Sequence, residues 1–130
     1  MILDSDFNYT ELLYAYQQLM NEGSIPSCIL VGIGYGTSIL KRGNYRNRDF
    51  LPNEIKNLES GNADNFAVFL NGQFIDHWSK YPVDKNKTTL QAHSYGGLFL
   101  TYLLTKDNLA YQNLIISSSA IWQDKSVFKN

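Results

Sequence analysis

The sequence predicts an α/β protein built on a mostly parallel sheet of about four strands with flanking helices. Strand-like and helix-like segments alternate along the 130 residues, in the order expected when parallel strands are joined by right-handed helical crossovers. The segment 28–34 is continuously apolar, which is typical of a parallel strand covered on both faces. The third observation is the pattern around Ser94, where a strand candidate is followed by two glycines and then directly by an apolar helix candidate.

Composition and charge restrict the class of protein. Apolar residues make up 44% of the chain, which suits one globular domain with a buried core. The net charge of −1 gives no electrostatic pattern for nucleic acid or an anionic membrane, and no apolar stretch approaches the roughly 20 residues of a membrane span. No secretory signal pattern or metal-ligand cluster is visible in the sequence. We therefore expect a cytoplasmic protein with no cofactor, no nucleic-acid partner and no membrane partner.

The first 26 residues predict a short strand followed by a long helix. The strand candidate is Met1-Ile2-Leu3, which resembles the end of a strand running into a loop. Asn8, with Glu11 three residues later, forms a plausible helix cap, and Gly23 and Pro26 end the helix. One apolar face of this helix is predicted from residues at helical spacing, namely Leu12, Leu13, Tyr16, Leu19 and Met20.

The strand candidate 28–34 carries the single cysteine of the chain and leads into a glycine-rich turn. Cys28 excludes an internal disulfide, and its apolar surroundings predict a small buried hydrophobe. Gly32 and Gly34 begin a dinucleotide-binding fingerprint, but Thr37 stands where the third glycine is required. A polar segment then follows in place of a helix, so the pattern disfavours nucleotide binding.

The segment 41–61 is charged and loop-like in composition, and a loop of this length in a compact domain is often functional. Within it, Arg46 and Arg48 are candidate substrate-binding residues. A second helix is predicted from about Ala63 to Lys80, capped near Asn62 or Asp64. Its predicted core stripe consists of Phe66, Phe69, Leu70, Phe74, Ile75 and Trp78. His77 on this helix has the position of an ordinary surface or half-buried histidine.

Ser94 is the candidate nucleophile. It lies in Ala92-His93-Ser94-Tyr95-Gly96, which matches the G-x-S-x-G elbow of serine hydrolases except that alanine replaces the first glycine. A serine on such a turn projects its hydroxyl clear of the sheet, and the N–H of the next residue faces any oxyanion that forms. The competing interpretation is a turn before an ordinary helix, and the strand before and the helix after Ser94 disfavour it. A last strand is predicted at 113–117.

Five blocks of the sequence, in register over nearly the whole chain, resemble the esterase family of α/β-hydrolases that includes esterase D-like and siderophore (enterochelin) esterases. The blocks are Leu3-Asp4-Ser5-Asp6, Val31-Gly32-Ile33-Gly34-Tyr35, Arg46-Asn47-Arg48-Asp49-Phe50-Leu51-Pro52, Ala92-His93-Ser94-Tyr95-Gly96-Gly97-Leu98-Phe99 and Ser118-Ser119-Ala120-Ile121-Trp122. The resemblance implies a serine carboxylic-ester hydrolase that acts on a small-molecule ester. It implies Ser94 as the nucleophile, backbone oxyanion donors at Tyr95 and Ser5, and Arg48 in the loop near the site.

The same resemblance implies a triad acid and histidine on later strands, and the eight residues after Trp122 contain no histidine. We therefore expect residues 1–130 to form a single incomplete α/β-hydrolase domain that lacks N-terminal strands and the acid and histidine segment. His93 adjoins the nucleophile, and its ring is expected to point away from the serine hydroxyl. Three alternatives stay open: an ester hydrolase, a non-catalytic remnant or binding module, and a chain completed in trans by another. Uncovered sheet or helix faces would also favour self-association.

Overall fold

The computed structural model describes residues 1–78, 80–107 and 109–128, and within these the side chains of residues 73–76, 78 and 126 are left out of the description. Four strands alternate with helices. In chain order the elements are β1 (Ile2–Leu3), α1 (Ser5–Asn21), β2 (Gly32–Ile33), α2 (Ile39–Phe50), α3 (Ala63–Trp78), β3 (Thr89–His93), α4 (Tyr95–Leu103), β4 (Asn113–Ser117) and a 3₁₀ helix (Lys125–Phe128).

The four strands form one parallel sheet in the order β2-β1-β3-β4. The chain moves in one direction across the sheet from β1 to β2 and in the opposite direction from β2 to β3 and on to β4. Right-handed crossovers therefore place α1 on one face and α2, α3 and α4 on the other. In agreement, α2 contacts both α3 and α4, whereas α1 contacts β2. The predicted fold class, a parallel α/β sheet of four strands with flanking helices, is confirmed.

The core lies between the sheet and the α2–α4 layer. Phe50 is at its centre, with its ring centroid 5.6 Å from that of Phe66 and 5.8 Å from that of Phe99. These aromatic rings join aliphatic side chains from the strands and helices, and burial of this apolar surface is the main stabilising contribution to such a domain. The fully buried large side chains are Phe50, Phe99, Leu51, Leu70, Leu90, Leu98 and Leu100.

Tyr111 belongs to this core and lies beside β4. Its burial is expected to make the protein less stable at alkaline pH. Its hydroxyl donates a hydrogen bond to the Leu70 carbonyl at 3.2 Å, and burial raises the pKa of Tyr111 to about 12. An unfolded tyrosine ionises near pH 10, so between about pH 10 and pH 12 only the unfolded state gains by losing this proton. The wild-type protein is therefore expected to lose up to about 3 kcal/mol of stability over that range.

Urea unfolding of wild-type and Tyr111→Phe protein at pH 8 and at pH 11 tests this expectation. At pH 8 the variant should be less stable by about 1 kcal/mol, because it lacks the hydrogen bond to Leu70. At pH 11 the difference should shrink or reverse, because the variant has no proton to lose at this site. Parallel losses of stability in the two proteins would contradict the assignment, since the other tyrosines are common to both.

The two faces of β3 have different surroundings. Leu90 and Ala92 are buried and belong to the core, whereas Gln91 faces α1 and its side-chain oxygen accepts a hydrogen bond from the Tyr16 hydroxyl at 2.7 Å. Ile115 of β4 pairs with Gln91, and its side chain is 42% exposed. The α1 face of the sheet is thus only partly covered at β4, and the predicted self-association stays a prediction.

The predicted loop at 41–61 is wrong for its first half, since residues 39–50 form α2. Gly43 and the asparagines give this segment a low intrinsic helix propensity. Tertiary contacts outweigh that propensity: Phe50 is buried in the core, Asp49 is buried in a polar network, and α2 packs on both α3 and α4. The residues after α2 are irregular, as predicted.

The predicted central strand 28–34 is also corrected. Only Gly32 and Ile33 form ladder pairs, and β2 lies at an edge of the sheet that the described strands make. Residues 28–30 are outside the ladder, so Cys28 is exposed and not the buried hydrophobe that its apolar neighbours predicted. The apolar run at 28–34 therefore predicted correctly that a strand lies in this segment, but the prediction that this strand is central in the sheet is wrong.

Both long helices are where the sequence pattern predicts them, with local differences. In α1, Asn8 has non-helical φ and ψ angles of −148° and 23°, so it separates a first turn at Ser5 from the main helix. Leu19 of the predicted apolar face is 39% exposed. In α3, Phe66 and Leu70 are buried but Phe69 is 42% exposed, so Phe69 does not belong to the core stripe. Three further stripe residues lie outside the described side chains: Phe74, Ile75 and Trp78.

Candidate active site

Ser94 occupies the turn between β3 and α4, at the carboxyl end of the sheet, as predicted. Its backbone has φ 57° and ψ −115°, a conformation that non-glycine residues rarely adopt. The turn is held by the neighbouring strand end: the Ser94 N–H donates to the Ser117 carbonyl at 3.1 Å, and the Ser94 carbonyl accepts from the Ala120 N–H at 3.0 Å. This strain is therefore maintained by backbone hydrogen bonds on both sides of the residue.

Two glycines allow the turn to pack this closely. A Cβ atom on Gly96 would lie 2.9 Å from the Cβ of Ala92. A Cβ atom on Gly97 would lie 3.0 Å from the Ser117 carbonyl oxygen and 3.1 Å from the Cα of Ser119. The absence of side chains at both positions thus lets α4 begin directly against β3 and the loop after β4.

A second turn of the same kind lies on the adjacent strand. Asp4 follows β1 with φ 56° and ψ 34°, and Ser5 is the first residue of α1. Because β1 and β3 are neighbouring parallel strands, the turns at Asp4 and Ser94 lie side by side. The N–H groups of Ser5 and Tyr95, each the first of a helix, have no acceptor within their own helix. The two turns therefore present two backbone donors at one edge of the sheet.

A cavity of about 290 Å³ opens at these turns, where the crossover direction reverses between β1 and β3. Ligand sites in open α/β sheets lie at this type of position, outside the carboxyl ends of the strands. The lining of this cavity combines apolar side chains with a few polar and charged groups: Ile2, Leu3, Asp4, Phe7, Asn8, Leu12, Arg46, Gln91, Ala92, His93 and Ser94.

Arg46 and Asp4 form a partly buried ion pair at this cavity. The Nε of Arg46 donates to both carboxylate oxygens of Asp4, at 2.8 and 2.9 Å. The guanidinium carbon lies 5.1 Å from the centroid of the Phe7 ring and 5.4 Å from that of Tyr95. Burial raises the pKa of Asp4, while the hydrogen bond and the charge of Arg46 oppose that rise.

Arg48, the other candidate substrate-binding arginine, lies outside the cavity lining. Its Nε and Nη2 donate to the two oxygens of Asp49 at 2.7 and 2.9 Å, and this hydrogen bonding raises the pKa of Arg48. Asp49 is buried and also accepts a hydrogen bond from the Tyr35 hydroxyl at 3.1 Å. Burial, with the charge of Asp49 as a second cause, raises the pKa of Tyr35. Arg48 therefore belongs to a network that ties α2 to the loop after β2.

The histidines and the serine hydroxyl are not brought together by a hydrogen bond. His93 is exposed at the end of β3 and borders the cavity, while His77 lies on α3. Among the described residues, no hydrogen bond joins the Ser94 hydroxyl to another group. Sequence reasoning did not single out Asp4 and Phe7, the cavity residues that contact Arg46. Asp4 was visible as part of the first resemblance block, whereas nothing in the sequence distinguished Phe7.

Within residues 1–78, 80–107 and 109–128, no three histidine, cysteine or acidic side chains gather as metal ligands. Across the same ranges, no helix combines the length and apolar character needed to cross a bilayer.

The parallel sheet with its flanking helices places this chain among the α/β proteins. The chain is 35% identical to the ferri-bacillibactin esterase BesA of Bacillus subtilis (strain 168), in a match over 121 residues that covers 82% of this chain and 41% of that protein. The crystal structure of the BES protein from Bacillus cereus superposes with a TM-score of 0.86 and 31% identity, covering 98% of this chain and 52% of that one.

A more distant structure shares the fold alone: the siderophore hydrolase EstA from Aspergillus nidulans superposes with a TM-score of 0.72 at 23% identity, over 98% of this chain and 47% of that one. No family model matches the sequence. The chain spans about half the length of the relatives it matches. The predicted resemblance to siderophore esterases is confirmed for that part of their length.

Proposed function

We propose that this chain carries the nucleophile and the oxyanion hole of a serine carboxylic-ester hydrolase. The observation that carries the proposal is the position of Ser94, on a strained strand-to-helix turn that borders the cavity at the sheet's switch point. Such a turn exposes a serine hydroxyl and places the following backbone N–H beside it. The similarity to the ferri-bacillibactin esterase BesA supports the same class of reaction.

In the proposed reaction, the Ser94 oxygen attacks the ester carbonyl, and the serine proton passes to a base and then to the leaving alcohol. A carbon–oxygen bond to Ser94 forms, the ester carbon–oxygen bond breaks, and the alcohol departs. Water then hydrolyses the acyl-enzyme and releases the acid. The N–H groups of Tyr95 and Ser5 are the proposed donors to the oxyanion, because they lie at adjacent helix starts.

The proposed substrate is a small-molecule ester of the siderophore type. One relative, BesA, is named as a ferri-bacillibactin esterase, and we extend that chemistry to this chain by similarity over part of its length. Arg46 borders the cavity as a candidate substrate-binding residue, and its charge there is balanced by the carboxylate of Asp4, which lines the same cavity. Arg48 lies further out with 38% of its side chain exposed, so a contact with substrate there would require a larger ligand.

The second candidate, a non-catalytic remnant or binding module, is favoured by one observation. A serine hydroxyl is a weak nucleophile until a positioned base takes its proton, and the Ser94 hydroxyl is hydrogen-bonded to none of the described residues. In the third alternative, another chain supplies the base in trans, so that this chain alone is inactive but Ser94 is catalytic in the complex. The assignment of residues 1–130 to one incomplete α/β-hydrolase domain likewise stays a prediction.

Labelling with a fluorophosphonate probe, followed by intact mass and by p-nitrophenyl ester hydrolysis, tests the proposal. The chain is expected to acquire one adduct slowly at Ser94 and to accelerate hydrolysis by at most about 10³ to 10⁴ over water, the residual level of triad-deleted enzymes. Ser94→Ala should lose both signals. Ser118→Ala is the matched control, because Ser118 is an exposed serine with φ 45° at the next strand end.

Each outcome separates the candidates. Equal labelling of wild-type and Ser94→Ala protein, or no labelling at all, would overturn the ester-hydrolase proposal and favour the non-catalytic module. Burst kinetics with rapid stoichiometric labelling of Ser94 would instead support the hydrolase and show that a base is present in the assayed protein.

A further inference from the structure

The Asp4–Arg46 pair includes the residue of one turn that carries a proposed oxyanion donor and lies close to the other turn. Asp4 immediately precedes Ser5, and its Oδ2 atom lies 3.7 Å from where a Cβ of Gly96 would be, beside the start of α4. Asp4 is therefore part of the turn that holds Ser5, and its carboxylate lies close to the turn that holds Tyr95. The third point of attachment of the pair is α2, which carries Arg46.

The guanidinium of Arg46 links the same elements through aromatic rings. It lies over the ring of Phe7 in the first turn of α1 and over the ring of Tyr95, the residue whose N–H is one proposed donor. A planar guanidinium can stack on rings and donate to a carboxylate at the same time, which an ammonium group does less well. A single side chain thus connects α2 to both turns.

We propose that Asp4 and Arg46 are positioning residues that set the distance and orientation between the Ser5 and Tyr95 N–H groups. This inference rests on the proposed function, in which those groups stabilise the oxyanion. Asp4 is 7% exposed and has a left-handed backbone conformation at φ 56°. A buried carboxylate needs a charged partner, so loss of Arg46 would favour movement of Asp4 toward water and rotation of the turn that holds Ser5.

The kinetic test uses fluorophosphonate labelling, in which the serine oxygen bonds to phosphorus, the serine proton passes to a base or to water, fluoride leaves and the phosphoryl oxygen occupies the oxyanion hole. Asp4→Asn and Arg46→Gln are each expected to slow the maximal labelling rate about tenfold or more, with the concentration for half-maximal rate little changed, since donor geometry affects the transition state most. Arg46→Lys should recover part of the rate. The double variant should be no slower than the slower single variant, because the two residues act as one unit.

Arg48→Gln is the matched control, because Arg48 also lies on α2 and also pairs with a buried aspartate but does not border the cavity. It should leave the labelling rate unchanged. Equal slowing by Arg48→Gln and Arg46→Gln would mean that the pair has only a general structural role, and it would overturn the inference.

A second measurement tests the inference without any reactivity of Ser94. Backbone amide ¹⁵N–¹H spectra of wild-type and variant protein report the Ser5 and Tyr95 N–H groups directly. Asp4→Asn and Arg46→Gln should each shift both resonances, and Arg48→Gln should shift neither. Unchanged Ser5 and Tyr95 resonances in the two variants would overturn the inference, whereas a failure of the wild-type chain to label would count only against the proposed function.

Discussion

Gly97→Val is expected to prevent stable folding of this chain and to abolish any labelling of Ser94. Even a single Cβ at this position would lie 3.0 Å from the Ser117 carbonyl oxygen and 3.1 Å from the Cα of Ser119, and valine adds two methyl groups. The Ser117 carbonyl accepts from the Ser94 N–H at 3.1 Å, and Ala120, which follows Ser119, donates to the Ser94 carbonyl at 3.0 Å, so the neighbours cannot withdraw without breaking the turn. We expect a loss of at least about 4 kcal/mol, a large part of the stability of a small domain.

Gly43→Ala is the matched control, because Gly43 also lies within a helix but a Cβ there would contact nothing within 4 Å. Alanine is a better helix former, so this variant should be more stable by up to about 1 kcal/mol. Far-ultraviolet circular dichroism with urea unfolding measures both variants. A cooperative unfolding transition of Gly97→Val near that of the wild type would show that the loop after β4 does not pack on α4 as described.

The second large effect is expected at Phe50. Its side chain is 1% exposed, and its ring packs against Phe66, Phe99 and Tyr35 at centroid distances of 5.6, 5.8 and 6.4 Å. Phe50→Ala removes a large apolar side chain from the point where α2, α3 and α4 meet and leaves a cavity. The expected loss of unfolding free energy is about 3 to 5 kcal/mol, measured from urea midpoints at constant slope.

Phe69→Ala provides the comparison for this prediction. Phe69 stacks on Phe66 at 6.0 Å but is 42% exposed, so the same truncation there should cost no more than about 1 kcal/mol. Similar losses for the two variants would mean that the core is not centred on Phe50. A large loss for Phe50→Ala alone would support tertiary packing as the reason why residues 39–50 form a helix.

Local sequence patterns determined much of this fold. The strand at 113–117 is bounded as predicted, and α3 begins at Ala63, because a compact apolar run and a long amphipathic pattern are each specified by neighbouring residues. The turn at Ser94 was also predictable, since two glycines between a strand and a helix candidate restrict the possible backbone paths. The resemblance to siderophore esterases followed from short blocks whose residues meet at these turns.

Only the tertiary structure decided which residues share the site. Arg46 and Arg48 are two positions apart in one helix, and the sequence treated them alike, yet one borders the cavity and the other pairs with Asp49 away from it. Residues two apart in a helix point about 200° apart, so the packing of α2 on α3 and α4 selects the arginine that reaches Asp4. Because residues 39–50 have a low helix propensity, the sequence pattern did not predict α2. The contacts of α2 with the core decide both that these residues are helical and how the helix is oriented.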